Sequence, residues 1–110
     1  MKDNFTRITD IKTFEELLNQ SRERPIVLFK HSTTCSVSAS AYQEMKRFDG
    51  EVLLVEVQNA RALSCEIENR TRVAHESPQV LVLRNGQAVW NASHWKVNAE
   101  KVADAVMRST

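Results

Sequence analysis

Within FKHSTTCSVSASAY, residues 29–42, a single cysteine stands in a polar loop where an apolar run gives way to a helical pattern. A structural cysteine sits inside an apolar run, whereas Cys35 follows His31, Ser32, Thr33 and Thr34. At the first turn of a helix its sulfur lies beside backbone N–H groups that lack intrahelical partners, where the aligned peptide dipoles favour negative charge. The thiolate is the nucleophile, and an ordinary thiol with a pKa of ~8.5 is mostly protonated at neutral pH. Ser38, three residues on and on the same side of the helix, is the expected hydroxyl donor to the sulfur.

Ser38 also sets the reaction type. In a Cys-x-x-Cys site the second thiol attacks the mixed disulfide formed by the first, but a hydroxyl at that position cannot form a disulfide. Cys-Ser-Val-Ser therefore reads as a monothiol site, relieved by an external thiol. The second cysteine, Cys65, is thirty residues away. Its expected place is a helix surface across the sheet from Cys35, too far for a bridge that needs Cα atoms within ~7 Å. His31, His75 and His94 bring the possible soft ligands to five, but their spacings match no local metal motif, so no metal is expected.

The elements that must position Cys35 follow from periodicity. Phe14, Leu17 and Leu18 mark a first helix over residues 13–22, with Thr13 and Glu16 in capping-box spacing. Pro25 opens IVLFK, a continuous apolar run that predicts a central strand buried on both faces. Val37, Ala41, Met45 and Phe48 form the apolar stripe of a second helix that starts at Cys35. VLLVEV predicts another strand, and Leu63 and Ile67 mark a helix over residues 61–70. QVLVLR and AVWNAS flank Asn85 and Gly86, a strong signal for an antiparallel hairpin. A final helix over residues 98–107 has Asn98 as its cap and Ala99, Val102 and Val106 facing inward. With a short strand near residues 5–8, the order is βαβαβαββα. It is an α/β chain with a central mixed sheet flanked by helices on both faces, the order a thioredoxin fold requires.

At 110 residues there is room for one domain, 1–110, without linkers or repeats. Fifteen basic and fourteen acidic residues are interspersed, so no field favours nucleic acid or an anionic membrane, and neither is an expected partner. Residues 1–10 lack the apolar segment of a signal peptide and no apolar run approaches ~18 residues, which together predict a cytoplasmic protein with reduced thiols.

HESPQ, residues 75–79, places a proline at the start of a strand, a position tolerated for want of an N–H. In this element order a cis Ser77–Pro78 bond facing Cys35 exposes the Ser77 backbone to an extended substrate. Thr34 and Ser36, which flank the sulfur, join Ser77 and Pro78 as expected substrate contacts, with Cys35 and Ser38 as the catalytic pair.

Taken together and in order, FKHSTTCSVSASAY, LSCEI, HESPQ, the Asn-Gly hairpin and WNASHW resemble the YtxJ family of monothiol bacilliredoxins, in blocks from about residue 26 to 96. The resemblance implies an oxidoreductase that removes bacillithiol from S-bacillithiolated client proteins, with Cys35 as the attacking thiol and a cis bond at Pro78. It also implies bacillithiol as a low-molecular-weight thiol cosubstrate, with no tightly bound cofactor. The family segment Thr-Cys-Pro-Ile-Ser departs here to Ser36 and Val37. Losing the proline restores an N–H near the sulfur and frees φ. A noncatalytic binding module and an iron–sulfur cluster carrier are the alternative classes. Among the neighbours, His31 reads as a hydrogen-bonded strand-end residue and Lys30 as a solvated strand-edge lysine, while Trp90 and Trp95 read as packing residues.

Overall fold

The computed structural model describes residues 4–110. Its elements are β1 Phe5–Arg7, α1 Ile11–Gln20, β2 Ile26–His31, α2 Ser36–Arg47, β3 Val52–Glu56, α3 Arg61–Thr71, β4 Gln79–Arg84, β5 Gln87–Ser93 and α4 Ala99–Arg108. Short 3-10 turns at Val57–Asn59 and His94–Lys96 lead into α3 and α4. The five strands form one sheet in the order β1-β3-β2-β4-β5, with β1, β3 and β2 parallel and β4 and β5 antiparallel to their neighbours. This is the thioredoxin fold read from the sequence. The hairpin turns where the Asn-Gly pair predicts, with φ of 55° at Asn85 and 77° at Gly86, as a type I′ turn demands.

Every residue of β2 is buried because helices cover both faces of the sheet. Alternation along the strand sends Ile26 and Leu28 into one core with Phe14, Leu17 and Leu18 of α1 and Leu63 and Ile67 of α3. Val27 and Phe29 enter the other core with Ala41 and Met45 of α2 and Val102 of α4. The helix carrying Cys35 and the helix carrying Cys65 thus lie on opposite faces.

Several local expectations are corrected. The cap of α1 is Asp10, whose carboxylate accepts from the Thr13 N–H at 3.1 Å, so the helix begins before the Thr13–Glu16 pair and that pair is interior. An aspartate is a better N-cap than a threonine, and Asp10 takes the Thr13 N–H one turn before a Thr13 cap would take that of Glu16. In α2 the inward position at the first turn belongs to Ser38, fully buried, while Val37 is half-buried. In α4, Ala105 is buried and Val106 packs at the edge of the core. Asn98 caps α4 through the Lys101 N–H at 3.1 Å, as expected.

Candidate active site

The loop from Ser32 to Cys35 joins the end of β2 to the start of α2, and Cys35 is itself the N-cap residue of that helix. Its backbone is extended, with φ −105° and ψ 129°, and no side chain caps the helix. The first N–H groups of α2 therefore face the sulfur. The Ser38 and Val37 N–H groups, in that order, pull the Cys35 thiol below the ordinary thiol range against a smaller opposing effect of burial, and the Ser38 hydroxyl adds a lesser contribution. The expectation that the Ser38 side chain is the chief donor is thereby revised: the backbone does most of the work.

The Ser38 hydroxyl has a second partner. Its oxygen accepts the Ser32 N–H at 3.2 Å, tying the first turn of α2 to the start of the loop and leaving the hydroxyl proton for the sulfur. Ser38→Ala is expected to raise the Cys35 pKa modestly and slow its alkylation at pH 7 by about 2- to 5-fold. The lost acceptor for a part-buried N–H also costs about 1 kcal/mol of stability. Alkylation rate against pH checks this, and superimposable profiles for the two proteins would remove the hydroxyl from the account.

A residue not anticipated from the sequence holds the loop from the other side. Gln58, in the 3-10 turn after β3, donates from Nε2 to Ser32 Oγ at 2.8 Å and to Thr34 Oγ1 at 3.1 Å. Its Oε1 accepts the Thr33 N–H at 3.2 Å. One amide side chain thus fixes three consecutive residues leading to the cysteine. No sequence signal marks Gln58: only the parallel pairing of β2 with β3, in which His31 opposes Glu56, brings the two strand ends together.

The Ser77–Pro78 peptide bond is cis. β4 begins at the next residue, and Gln79 opposes Lys30 in the antiparallel pairing with β2, so this step sits at the sheet end from which the Cys35 loop departs. The Pro78 carbonyl accepts the His94 N–H at 2.9 Å, and the 94–96 turn packs against α2. Cys35, Ser38, Thr34, Ser36, Ser77 and Pro78 are therefore gathered around one end of the sheet. Thr34 and Ser36 are exposed, Ser77 is half-buried and Pro78 is buried. Trp95 does not pack into the core: it stands 74% exposed beside this cluster, next to His94 at φ 56°. Trp90 does pack at the edge of the α2/α4 core.

Lys30 is not solvated. It has no exposed surface and its Nζ donates to Gln79 Oε1 at 3.2 Å. The same oxygen accepts the Glu76 N–H at 3.4 Å, and Gln79 Nε2 donates to the Ala74 carbonyl at 3.1 Å. Lys30 and Gln79 together brace the segment that ends in Ser77–Pro78. Burial brings the ammonium down to about 8, opposed by the charges of Glu68, Cys65 and Glu76. His31 is also buried, stacked near Phe29 and Tyr42, and its Nδ1 has no hydrogen-bond partner. Desolvation first of all holds it below the ordinary histidine range.

Both cysteines are free thiols, Cys35 half-buried and Cys65 exposed. Among the described residues no three His, Cys, Asp or Glu side chains cluster as a metal site, and no helix is long and apolar enough to cross a membrane. A cleft of about 570 Å3 lies at the far end of α2 around Asn4 and Gly50, away from this chemistry.

A reactive single thiol at the start of α2, on this sheet, defines a thiol–disulfide redox protein of the thioredoxin fold. The sequence profile described as monothiol bacilliredoxin BrxC matches residues 6–102, and the chain belongs to that family. Solved structures agree. A thioredoxin-fold protein provisionally described as an oxidoreductase shares 34% identity and a TM-score of 0.85 over 93% of each chain. Thioredoxin from Schistosoma mansoni superposes with a TM-score of 0.74 at 16% identity, over 97% of this chain and 96% of its own. Thioredoxin from Fasciola hepatica gives 0.72 at 16% identity, over 94% and 98%. The latter two carry the fold alone.

Proposed function

We propose that this protein removes bacillithiol from S-bacillithiolated proteins in a cycle run by one sulfur. The observation that carries it is a lone thiol at an uncapped helix start, with a hydroxyl three residues on where a resolving thiol would stand. The Cys35 thiolate attacks the bacillithiol sulfur of the client's mixed disulfide. The client–bacillithiol S–S bond breaks as the Cys35–bacillithiol bond forms, and the client leaves as a thiolate that takes a proton from water. A second bacillithiol thiolate attacks the adduct, releasing bacillithiol disulfide and free Cys35. The bacillithiol carried in by the client enters and leaves at the disulfide level, and the reducing equivalents for the client thiol come from the second bacillithiol, which enters as a thiolate and leaves in the disulfide. No tightly bound cofactor is required, and a cytoplasmic setting suits a cycle that depends on reduced small thiols.

In this cycle Cys35 is the nucleophile and Ser38 steadies its charge. The Ser77 backbone and Pro78, with Thr34 and Ser36, receive the client segment around the target sulfur, and the exposed indole of Trp95 offers that segment an apolar contact. A client carrying bacillithiol and the same client carrying glutathione, each supplied with its own thiol, discriminate the cosubstrate. Faster release of bacillithiol, with an adduct mass on the Cys35 peptide, is the expected result. Release with no adduct on that peptide would end the single-sulfur scheme.

A further inference from the structure

On the α3 side of the active loop lies a groove of about 380 Å3 that the cycle above does not use. Ser32, Gln58, Arg61, Ser64, Cys65 and Glu68 line it. It opens where β2 and β3 end, and crevices outside the carboxyl ends of parallel strands are where α/β sheets take ligands. It also adjoins the reactive loop, since Ser32 and Gln58 belong both to its wall and to the clamp on residues 32–34. Its size suits a small molecule.

The wall has unused polar capacity. Arg61 is exposed and enters no ion pair among the described residues. The Ser64 hydroxyl is buried without a hydrogen-bond partner. Glu68 is committed at the other end, where its carboxylate accepts the His75 N–H at 3.0 Å. A guanidinium free to bind a carboxylate in a fork, with the unpartnered Ser64 hydroxyl beside it, recognises a compound bearing acid and hydroxyl groups.

We propose that this groove holds the polar body of a carboxylate-bearing low-molecular-weight thiol while its sulfur is joined to Cys35. The inference rests on the mixed-disulfide intermediate proposed above. The adduct reaches from the sulfur over the end of the sheet, past Ser32 and Gln58, to place its carboxylate at Arg61.

Cys65, exposed in the same groove, reports occupancy without any need for turnover. One equivalent of bacillithiol disulfide, glutathione disulfide or hydroxyethyl disulfide converts Cys35 to a mixed disulfide. The reagent's S–S bond breaks, a new one forms on Cys35, and one small thiolate is released. Alkylation of Cys65 by iodoacetamide is then timed by peptide mass. The bacillithiol and glutathione adducts are expected to slow it about 10-fold relative to the hydroxyethyl adduct, equivalent to about 1.4 kcal/mol of occupancy. The stronger protection of the two identifies the better-fitting thiol. In Arg61→Gln the protection is expected to disappear while the Cys35 adduct still forms. Equal Cys65 reactivity across all three adducts would overturn the groove assignment and leave the proposed cycle standing. Failure to form any adduct on Cys35, or capture of the reagent by Cys65 in its place, would overturn both.

Discussion

Cys35→Ser is expected to abolish bacillithiol release, by at least about a thousandfold, the order lost when a covalent nucleophile is removed. The fold is expected to survive intact. Cys35 occupies the N-cap position of α2 without capping it, and serine is among the best residues at that position, so the melting temperature should hold or rise. Activity lost without stability lost isolates the chemistry from the scaffold. Assay of an S-bacillithiolated client beside a thermal melt checks both halves, and turnover surviving the substitution would shift the nucleophile elsewhere. The wild-type pH profile carries a matching sign. Because N–H groups at the helix start lower the Cys35 pKa, activity should persist at neutral pH and decline as pH falls through that lowered value. The stability contributed by the thiolate is lost in the same direction.

Lys30→Met is expected to change how stability depends on alkali. Burial lowers this ammonium to about 8, against ~10.4 for a lysine in an unfolded chain. Between those values the unfolded chain holds a proton that the folded protein lacks, so folding becomes more favourable as pH rises. At ~1.36 kcal/mol per pH unit the gain across the window is about 3 kcal/mol. Methionine fills similar space and carries no charge, so the variant should match or exceed the wild type at pH 7. From pH 7 to 10.5, the wild type should gain about 3 kcal/mol on the variant. Urea unfolding of both proteins at the two pH values gives that difference directly. A gap that stays constant would mean Lys30 is charged and well solvated in the folded protein.

The order of the elements was readable because its signals are local. The run IVLFK, the Asn-Gly pair and the alternation of apolar residues each act within a few positions, and the sheet order follows once crossover handedness is imposed. Cys35 was readable for the same reason, since a cysteine after four polar residues at a helix start is a local contrast. Lys30 was not, because its burial depends on α3 and β4, 31 to 54 residues further along the chain, and an apolar run ending in lysine looks like a strand reaching water. Gln58 was silent because VEVQNA has no motif, and its importance exists only through the pairing of β3 with β2. Thr13 and Glu16 illustrate the opposite failure: the pattern is present, but Asp10 caps the helix three residues earlier, through the Thr13 N–H. Trp95 was misjudged because an indole's apolar area predicts burial. Instead the chain turns at His94, whose N–H is bound to the Pro78 carbonyl, and leaves Trp95 facing solvent.

The two sulfurs belong to helices on opposite faces of a sheet with its own packed core on either side, so neither reaches the other directly. In the proposed cycle the mixed disulfide on Cys35 therefore waits for a collision, and its lifetime is set by how much free small thiol the surroundings contain. When that reservoir is drained by oxidants the sulfur stays capped, shielded from harsher oxidation, and work resumes as soon as the reservoir refills.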